Sequence, residues 1–238
     1  IGCSSDLPVY CGLHDSNASL LPHLMARKGP FAVVSTGTWV VCFGVGAAVE
    51  KLDPARDTLV NVDAFGKPVP SARFMGGREF EILTHGITQL SPEALECATM
   101  RVLSGKVAYL PSAVEGSGPF PDHRGHWINE PADDAERHVA ASFYAAMMTA
   151  TCLDLIGNAG TIIVEGPFAG NLSFTKALAA ITGGQVLVTD GNSPSGTGLG
   201  ATLLATRNAP RQSYHPVTPL NGVTEHYRSW REGLQPIA

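Results

Sequence analysis

The stretch that decides the fold runs from Tyr10 to Phe43 and reads YCGLHDSNASLLPHLMARKGPFAVVSTGTWVVCF. Its second half contains two runs rich in β-branched and aromatic residues, Phe31 to Val34 and Trp39 to Phe43. Four small polar residues, Ser35 to Thr38, join them, which predicts two strands and a hairpin turn. Such a turn offers N–H and hydroxyl donors that can bind an anion.

The first half of the stretch contains a candidate general base. Asp15 lies in a turn-like Gly-Leu-His-Asp-Ser-Asn setting, after a short predicted strand at Val9 to Cys11 and before a helix predicted to begin near Asn17. A base and an anion-binding turn this close in sequence suggest phosphoryl transfer, in which a protein mainly positions the reacting groups and stabilises their charge.

Composition excludes several classes of function. The 238 residues with 44% hydrophobic content predict a globular protein with a substantial core, and the net charge of -5 leaves no basic field for nucleic acid or an anionic membrane. We find no apolar run of the roughly 20 residues that span a bilayer and no charged-then-apolar leader, so we expect a cytoplasmic location and no membrane partner.

The cysteines predict no disulfide framework. They are odd in number, scattered and without a Cys-x-x-Cys pair, which favours reduced core thiols. The five positions are Cys3, Cys11, Cys42, Cys97 and Cys152.

Between residues 58 and 87 the sequence predicts more of the same sheet and a helix. A strand at Thr58 to Val62 would complete an antiparallel edge, and Gly76-Gly77 precedes a helix with Phe80, Leu83 and Ile87 on one face. A helix N-terminus behind paired glycines can closely approach a nucleotide. The alternative is a glycine turn before an ordinary amphipathic helix.

The middle of the chain offers weak evidence for a metal site. After a strand at residues 107 to 110, a polar loop from 112 to 131 contains His123 and His126, but no third ligand at a recognisable spacing. Residues 133 to 157 then predict a long helix that Gly157 ends. Its buried stripe is Val139, Phe143, Ala146, Ala150 and Leu153.

The last third predicts a strand, helix and strand at residues 161 to 164, 172 to 182 and 185 to 189. Nucleotides commonly bind at the carboxyl ends of such strands. Gly166 and Gly170 could instead simply let the backbone turn. A helix of small residues in SGTGLGATLLATR and a final helix near Thr224 to Glu232 complete the chain.

The order of these motifs resembles a known family: GLHDSNASLL followed by STGTW is similar to the centre of a sugar kinase of the FGGY carbohydrate kinase family. The resemblance implies an α/β fold, the actin-like ATPase (ribonuclease H-like) domain with a mixed sheet flanked by helices. It also implies that residues 1 to 28 end an N-terminal sugar-binding lobe, mostly lacking here, and that residues 29 to 238 form the C-terminal nucleotide-binding lobe.

The resemblance also assigns residue roles. Asp15 would deprotonate a hydroxyl of a small sugar or polyol, and the flanking His14, Ser16 and Asn17 would contact that substrate. ATP would come with Mg²⁺, and its phosphates would bind at Thr36, Gly37 and Thr38. Further ATP contacts would come from Gly76, Gly77, Glu81, Gly166, Pro167 in place of a second glycine, Gly170 and Asn171.

Two other hypotheses stay open. One is a metal-dependent hydrolase that uses His14 and Asp15, or His123 and His126, on a metal. The other is an actin-like regulatory protein that binds a nucleotide without phosphorylating anything, although such a protein needs no base. The sequence leaves a homodimer open and does not indicate which sugar is used.

Overall fold

The computed structural model describes residues 9, 11–49, 52–87, 90–157, 160–189, 196–206 and 212–234. Its helices are α1 (Asp15–Ala26), α2 (Gly76–Thr84), α3 (Pro92–Gly105), α4 (Asp134–Leu155), α5 (Leu172–Thr182), α6 (Gly196–Thr206) and α7 (Val223–Gly233). Its strands are β1 (Phe31–Thr36), β2 (Val40–Val45), β3 (Thr58–Val62), β4 (Pro68–Phe74), β5 (Ala108–Leu110), β6 (His126–Ile128), β7 (Thr161–Glu165), β8 (Val186–Thr189) and β9 (Tyr214–Pro216).

Seven strands form one mixed sheet in the order β3-β4-β2-β1-β7-β8-β9, and β5 pairs with β6 separately. The β1–β2 hairpin is antiparallel, with Thr36 opposite Val40, and β3 and β4 extend it as an antiparallel edge. On its other side β1 pairs in parallel with β7, and β7 with β8. The predicted hairpin and strand-helix-strand unit are therefore confirmed, whereas the predicted edge strand β3 reaches the hairpin only through β4.

Alternating side chains on β1 separate the two faces of this sheet. Ala32 and Val34 face α4 and belong to the main apolar cluster, whereas Phe31 and Val33 face α1. The α4 face is covered by α2 to α5 and by α7, and α4 itself is buried along the whole predicted stripe. The α1 face buries a smaller cluster that consists of Leu20, Phe31, Val33, Phe43, Val69 and Ile163.

Helix α4 begins where its sequence predicts. The side chain of Asp133 accepts a hydrogen bond from the Glu136 N–H at 2.8 Å, which caps the helix. None of the helices in the described part of the chain combines the length and apolarity needed to cross a membrane.

Several predictions about elements were wrong or incomplete. Helix α2 ends at Thr84, because His85 takes a left-handed conformation with φ of 53°, and Ile87 lies beyond it. The loop predicted from 112 to 131 contains β6, and α3, β4 and β9 were not predicted. Helix α1 begins at Asp15, two residues before the predicted start, and Val9 and Cys11 are not in a strand.

Two more predictions meet the structure only in part. Cys42 and Cys152 are buried free thiols as expected, but Cys11 and Cys97 are exposed, and Cys3 lies outside the described residues. The boundary between a first lobe at residues 1 to 28 and a second at 29 to 238 stays a prediction.

Candidate functional site

The turn between β1 and β2 separates two cavities. The larger, of about 930 Å³, lies on the α4 side of the sheet, and the smaller, of about 500 Å³, lies on the α1 side. Gly37 and Thr38 line both cavities. Groups bound in the two cavities can therefore meet at this turn.

Hydrogen bonds fix the turn and leave few of its donors free. The Gly37 N–H donates to the Trp39 carbonyl at 2.9 Å. The Thr36 hydroxyl donates to the Glu165 carbonyl at 2.5 Å and accepts from the Phe168 N–H at 3.0 Å, so it ties β1 to the turn after β7. Within the described part of the chain, the N–H and hydroxyl of Thr38 have no protein partner, so Thr38 can donate to a ligand.

The larger cavity depends on a close contact between α2 and the turn. A Cβ on Gly77 would lie 2.0 Å from the Gly37 carbonyl oxygen, so only glycine allows the start of α2 to pack there. The Arg78 N–H donates to the Thr38 carbonyl at 3.3 Å and strengthens the same contact. The side chain of Glu81, paired with Arg78 at 2.8 Å, also lines this cavity.

The turn after β7, where further ATP contacts were expected, contributes to the same cavity. Pro167, Gly170 and Asn171 line it. Asn171 also caps α5 by accepting from the Phe174 N–H at 3.1 Å, and its amide donates to the Ser142 hydroxyl at 2.9 Å. These bonds hold the turn rigidly against α4.

Two of the expected ATP contacts lie behind the cavity instead of in its lining. A Cβ on Gly76 would meet Val40 at 2.4 Å, and one on Gly166 would meet the Thr36 carbonyl at 2.1 Å. Gly166 also has a φ of 80°, which favours glycine. Both glycines thus allow close backbone packing behind the residues that line the cavity.

The walls of the larger cavity are mostly apolar. The rings of Phe80 and Phe168 meet edge to face at 5.3 Å, and Leu95 and Leu220 line the cavity with them. Lys176 adds a positive charge to the lining. Apolar walls with a few polar groups are typical of sites that bind a small molecule or a cofactor.

A buried carboxyl group lies under the start of α2. Glu79 is fully buried, and the Tyr144 hydroxyl on α4 donates to it at 2.5 Å. Burial raises the pKa of Glu79 to about 7, and burial beside this carboxyl raises the pKa of Tyr144. The helix that forms the cavity floor is therefore attached to α4 through a group that titrates near neutral pH.

The smaller cavity contains the candidate base. Asp15 begins α1, with 71% of its side chain exposed and His14 Nδ1 2.8 Å from its Oδ1. The N–H of Ser16 donates to the same oxygen at 2.7 Å. Both His14 and Ser16 line this cavity, whereas the amide of Asn17 donates to the Val62 carbonyl of β3 at 3.1 Å.

Helix α6 and a buried polar pair fix α1 in place. The hydroxyl of Thr197 donates to the Asp15 carbonyl at 3.3 Å, and a Cβ on Gly200 would lie 1.7 Å from the Ala18 carbonyl oxygen. Further along α1, His23 Nε2 lies 3.0 Å from Oε2 of Glu165 at the end of β7. The helix that carries the base is thereby joined to the strand that leads into the turn of the larger cavity.

Sequence reasoning missed the floor of the smaller cavity. Ser35, Val41 and Arg73 are cross-strand neighbours on β1, β2 and β4, and all three line it. Asn61 and Trp39 line it as well. A single polar residue in a strand gives no motif by which a site can be recognised. The one available signal was on β4, where Val69, Ser71 and Arg73 are alternate residues and therefore lie on the same face of the sheet.

No metal centre accompanies these cavities. Within the described ranges, no group of three or more His, Cys, Asp or Glu side chains could hold a metal ion. The ring of His123 packs on Phe120 with a centroid distance of 5.4 Å, and His126 Nδ1 lies 3.3 Å from the Arg124 carbonyl oxygen. The hydrolase hypothesis therefore has no ligand set in this part of the chain.

The chain is similar to known carbohydrate kinases. Residues 28–213 match the family model described as "Carbohydrate kinase FGGY, C-terminal domain". The structure resembles that of a carbohydrate kinase from Novosphingobium aromaticivorans, with 38% sequence identity and a TM-score of 0.84 over 94% of this chain and 50% of that one. No curated protein matches the sequence.

More distant solved structures share the fold. A xylulose kinase from Rhodospirillum rubrum has 20% identity and a TM-score of 0.68, over 97% of this chain and 51% of that one. A Plasmodium falciparum glycerol kinase solved with ADP has 12% identity and a TM-score of 0.62, over 92% and 49%. The chain spans about half the length of these relatives, and its fold is the actin-like ATPase (ribonuclease H-like) α/β fold that the sequence predicted.

Proposed function

Because the chain belongs to the FGGY carbohydrate kinase family, we propose that it is the nucleotide-binding half of an ATP-dependent kinase that phosphorylates a hydroxyl of a sugar or polyol. One observation carries the proposal. The turn at Gly37 and Thr38 lines both cavities, with the Asp15 carboxylate in one and the Gly77 helix start in the other. A γ-phosphate held at the turn could be attacked from the Asp15 side.

The chemical step follows from this arrangement. The acceptor oxygen forms a bond to the γ-phosphorus while the bond to the oxygen that bridges to the β-phosphate breaks, and ADP leaves. Asp15 takes the proton of the acceptor hydroxyl. Little basicity is needed, since in a loose transition state that proton leaves late. Thr38 donates from its N–H and hydroxyl to the phosphoryl oxygens, where charge develops.

The larger cavity fits ATP. Its volume of about 930 Å³ is ample for a nucleotide, and its mostly apolar walls suit the base. The hydroxyl of Thr36 and the N–H of Gly37 act indirectly in this proposal, because both are used to shape the turn. Gly77, Glu81, Pro167, Gly170 and Asn171 lie in the lining and would contact the nucleotide.

Magnesium would accompany ATP. Mg²⁺ keeps most of its water and is commonly bound through substrate phosphates, so it needs no dedicated set of protein ligands. That requirement fits the described residues, which contain no such set. When bound, the ion would neutralise charge on the phosphate oxygens.

The sugar pocket would be completed by a separate lobe. In this proposal residues 1 to 28 end that N-terminal lobe, residues 29 to 238 form the nucleotide lobe, and the two close around the substrates to exclude water. His14 and Ser16, which line the Asp15 cavity, would contact the sugar. Asn17 would support them by holding α1 to β3.

Asp15→Asn in the two-lobe protein tests the proposal. We expect kcat for sugar phosphorylation to fall about 10²–10⁴-fold, the usual contribution of a general base, while ATP affinity measured by calorimetry stays unchanged. The matched control is Asp134→Asn, which alters another exposed aspartate in the first turn of a helix, outside both cavities.

The outcomes separate the hypotheses. Unchanged turnover in Asp15→Asn would remove the role of this carboxylate. Wild-type protein that binds ATP but consumes none with any ketose, aldose or polyol would favour the regulatory protein. Loss of activity in Asp134→Asn as well would indicate an unspecific effect of altered helix charge.

A further inference from the structure

We propose that Arg73 binds the phosphoryl group during its transfer, so that the Asp15 cavity supplies a cation as well as a base; this inference rests on the proposed kinase function. Arg73 lies on β4, far in sequence from the Asp15 segment and from the β1–β2 turn, but it lines the same cavity of about 500 Å³ as Asp15 and Thr38. No motif in the sequence pointed to it.

Strand register brings Arg73 to the turn. Ser35 pairs with Val41 across β1 and β2, and Val41 pairs with Arg73 across β2 and β4. Neighbouring strands lie about 4.8 Å apart, so these residues form one row across the cavity floor, with Arg73 about 10 Å from β1. The row lies next to the Thr36–Val40 pair that borders the turn, so a long side chain at position 73 can reach the space beside Thr38.

The guanidinium group is held from two sides. Its Nε donates to Asp57 Oδ1 at 3.3 Å, and the other oxygen of Asp57 accepts from the Gly118 N–H at 2.7 Å. Its central carbon lies 4.8 Å from the ring centroid of Trp39. A positioned cation costs little reorganisation when charge develops beside it.

The free side of the group faces solvent in the cavity. The Arg73 side chain is 45% exposed, and its two terminal nitrogens have no hydrogen-bond partner anywhere in the described part of the chain. A guanidinium presents these nitrogens as a planar fork that matches two oxygens of a phosphoryl group. The ligand that fits is therefore a tetrahedral or planar oxyanion.

Contact with the turn identifies the phosphoryl group as that oxyanion. Arg73 stacks on the ring of Trp39, the residue directly after Thr38. The Trp39 carbonyl accepts the hydrogen bond from the Gly37 N–H that shapes the turn. During transfer, charge spreads over the three equatorial oxygens of the phosphoryl group. Arg73 would stabilise that charge and keep its own protons, while the proton of the acceptor goes to Asp15 and ADP leaves.

Two substitutions in the two-lobe protein test this role. For Arg73→Ala we expect kcat to fall about 10²–10³-fold, the usual cost of one lost transition-state donor. The KM values for ATP and sugar should change little, because the interaction forms mainly in the transition state. Arg73→Lys should recover only part of kcat, and added guanidinium should partly restore Arg73→Ala, which a merely structural role would not allow.

Arg56→Ala is the matched control. Arg56 also stacks on an aromatic ring, with its central carbon 5.5 Å from the Phe120 centroid, and its Nε donates to the Pro119 carbonyl at 2.9 Å. It lies outside the lining of both cavities. We expect its kcat to equal that of the wild type.

Three results would overturn the inference. The first is a kcat of Arg73→Ala equal to that of Arg56→Ala. The second is a loss of kcat that added guanidinium does not restore and that parallels a loss of thermal stability. The third is an unchanged kcat with a raised KM only for acceptors that carry a carboxylate. The last would assign Arg73 to an acidic sugar instead.

Calorimetry with ADP and aluminium fluoride separates this inference from the proposed function. The wild type should bind ADP more tightly with the fluoride complex, a mimic of the transferring group, and Arg73→Ala should lose that gain while binding ADP alone normally. An equal gain in both proteins would refute the role of Arg73 but leave the kinase function intact. Wild-type protein that does not bind ADP would refute both.

Discussion

The two faces of the central sheet have different tasks. The α4 face is apolar at Ala32 and Val34 on β1, and it contains the larger cluster with Phe74, Phe143 and Trp230. The α1 face is apolar away from the β1–β2 turn, for example at Phe31 and Val33 on β1. Near the turn it also carries polar groups such as Ser35 and Arg73, which line the same cavity as Asp15.

This difference indicates that the α4 face mainly stabilises the fold, whereas the α1 face carries the polar groups of the Asp15 cavity. The α4 face supplies most of the buried apolar area and supports the larger cavity, so its residues are constrained chiefly by packing. Fewer residues of the α1 face belong to the core, so this face can expose the Asp15 carboxylate and the Arg73 guanidinium to the same cavity. One of its fixed points is the buried pair of His23 and Glu165.

The largest effect we expect concerns that pair. His23→Ala should destabilise the protein by about 3–5 kcal/mol, because it leaves the Glu165 carboxylate buried without its partner. His23 and Glu165 are only 1% and 8% exposed in their side chains. Chemical denaturation measures the change in free energy of unfolding.

The double variant His23→Ala, Glu165→Gln is the control. Removing the charge of Glu165 should recover a good part of the loss, since the cost arises from an unpaired buried charge. A loss below about 1 kcal/mol in the single variant, or no recovery in the double one, would show that the α1 face does not depend on this pair.

The next effect concerns the α4 face and its pH dependence. The pKa of Glu79 is raised to about 7 by burial, so the stability it contributes is present below its ordinary value of 4.5 and is lost as pH rises through 7. Glu79→Gln does not titrate. Relative to wild type, its free energy of unfolding should rise between pH 4.5 and pH 7 by up to about 3 kcal/mol.

Glu81→Gln provides the comparison on the same helix. Glu81 is 61% exposed, so its replacement should change the free energy of unfolding by less than about 1 kcal/mol. If wild type and Glu79→Gln show parallel profiles, the carboxyl under α2 is not a source of pH dependence.

The smallest effect tests the contact between the two cavities. Gly77→Ala places a Cβ 2.0 Å from a backbone oxygen, and such overpacking should cost about 1–3 kcal/mol, or a few °C in melting temperature. Nucleotide affinity should also fall, because the start of α2 must move away from the turn. Calorimetry with ATP checks this.

Gly170→Ala is the matched glycine. Gly170 lines the same cavity, and a Cβ there would meet nothing within 4 Å. Its stability and ATP affinity should stay close to those of the wild type. Equal losses in both variants would mean that the cavity is merely intolerant of added volume.

The sequence predicted elements whose signal is local. The β1–β2 hairpin, β3, α4 and the unit of β7, α5 and β8 each have a periodic apolar pattern with turn residues at both ends, and the structure contains them all. Helix α3 was missed although Ser91 caps it by accepting the Ala94 N–H; its buried residues are Ala98 and Val102. Strand β9 has only three residues and pairs with distant β8.

The sequence alone predicted only those parts of the candidate site that belong to short local motifs. The Asp15 segment, the turn at Thr38 and the Gly77 helix are short motifs, so the sequence indicated them. Arg73 was not indicated, since it reaches the cavity through strand pairing. The hydrogen bonds of the Thr36 hydroxyl were not predictable either. Its partners, Glu165 and Phe168, are more than a hundred residues away along the chain, so no local pattern contains them.

A structure of the protein with Mg²⁺ and a non-hydrolysable ATP analogue tests the central claim most directly. We expect the base of the nucleotide in the larger cavity and the terminal phosphate hydrogen-bonded to Thr38, with its free face toward Asp15. A nucleotide bound elsewhere, or a terminal phosphate turned away from the Asp15 cavity, would contradict it.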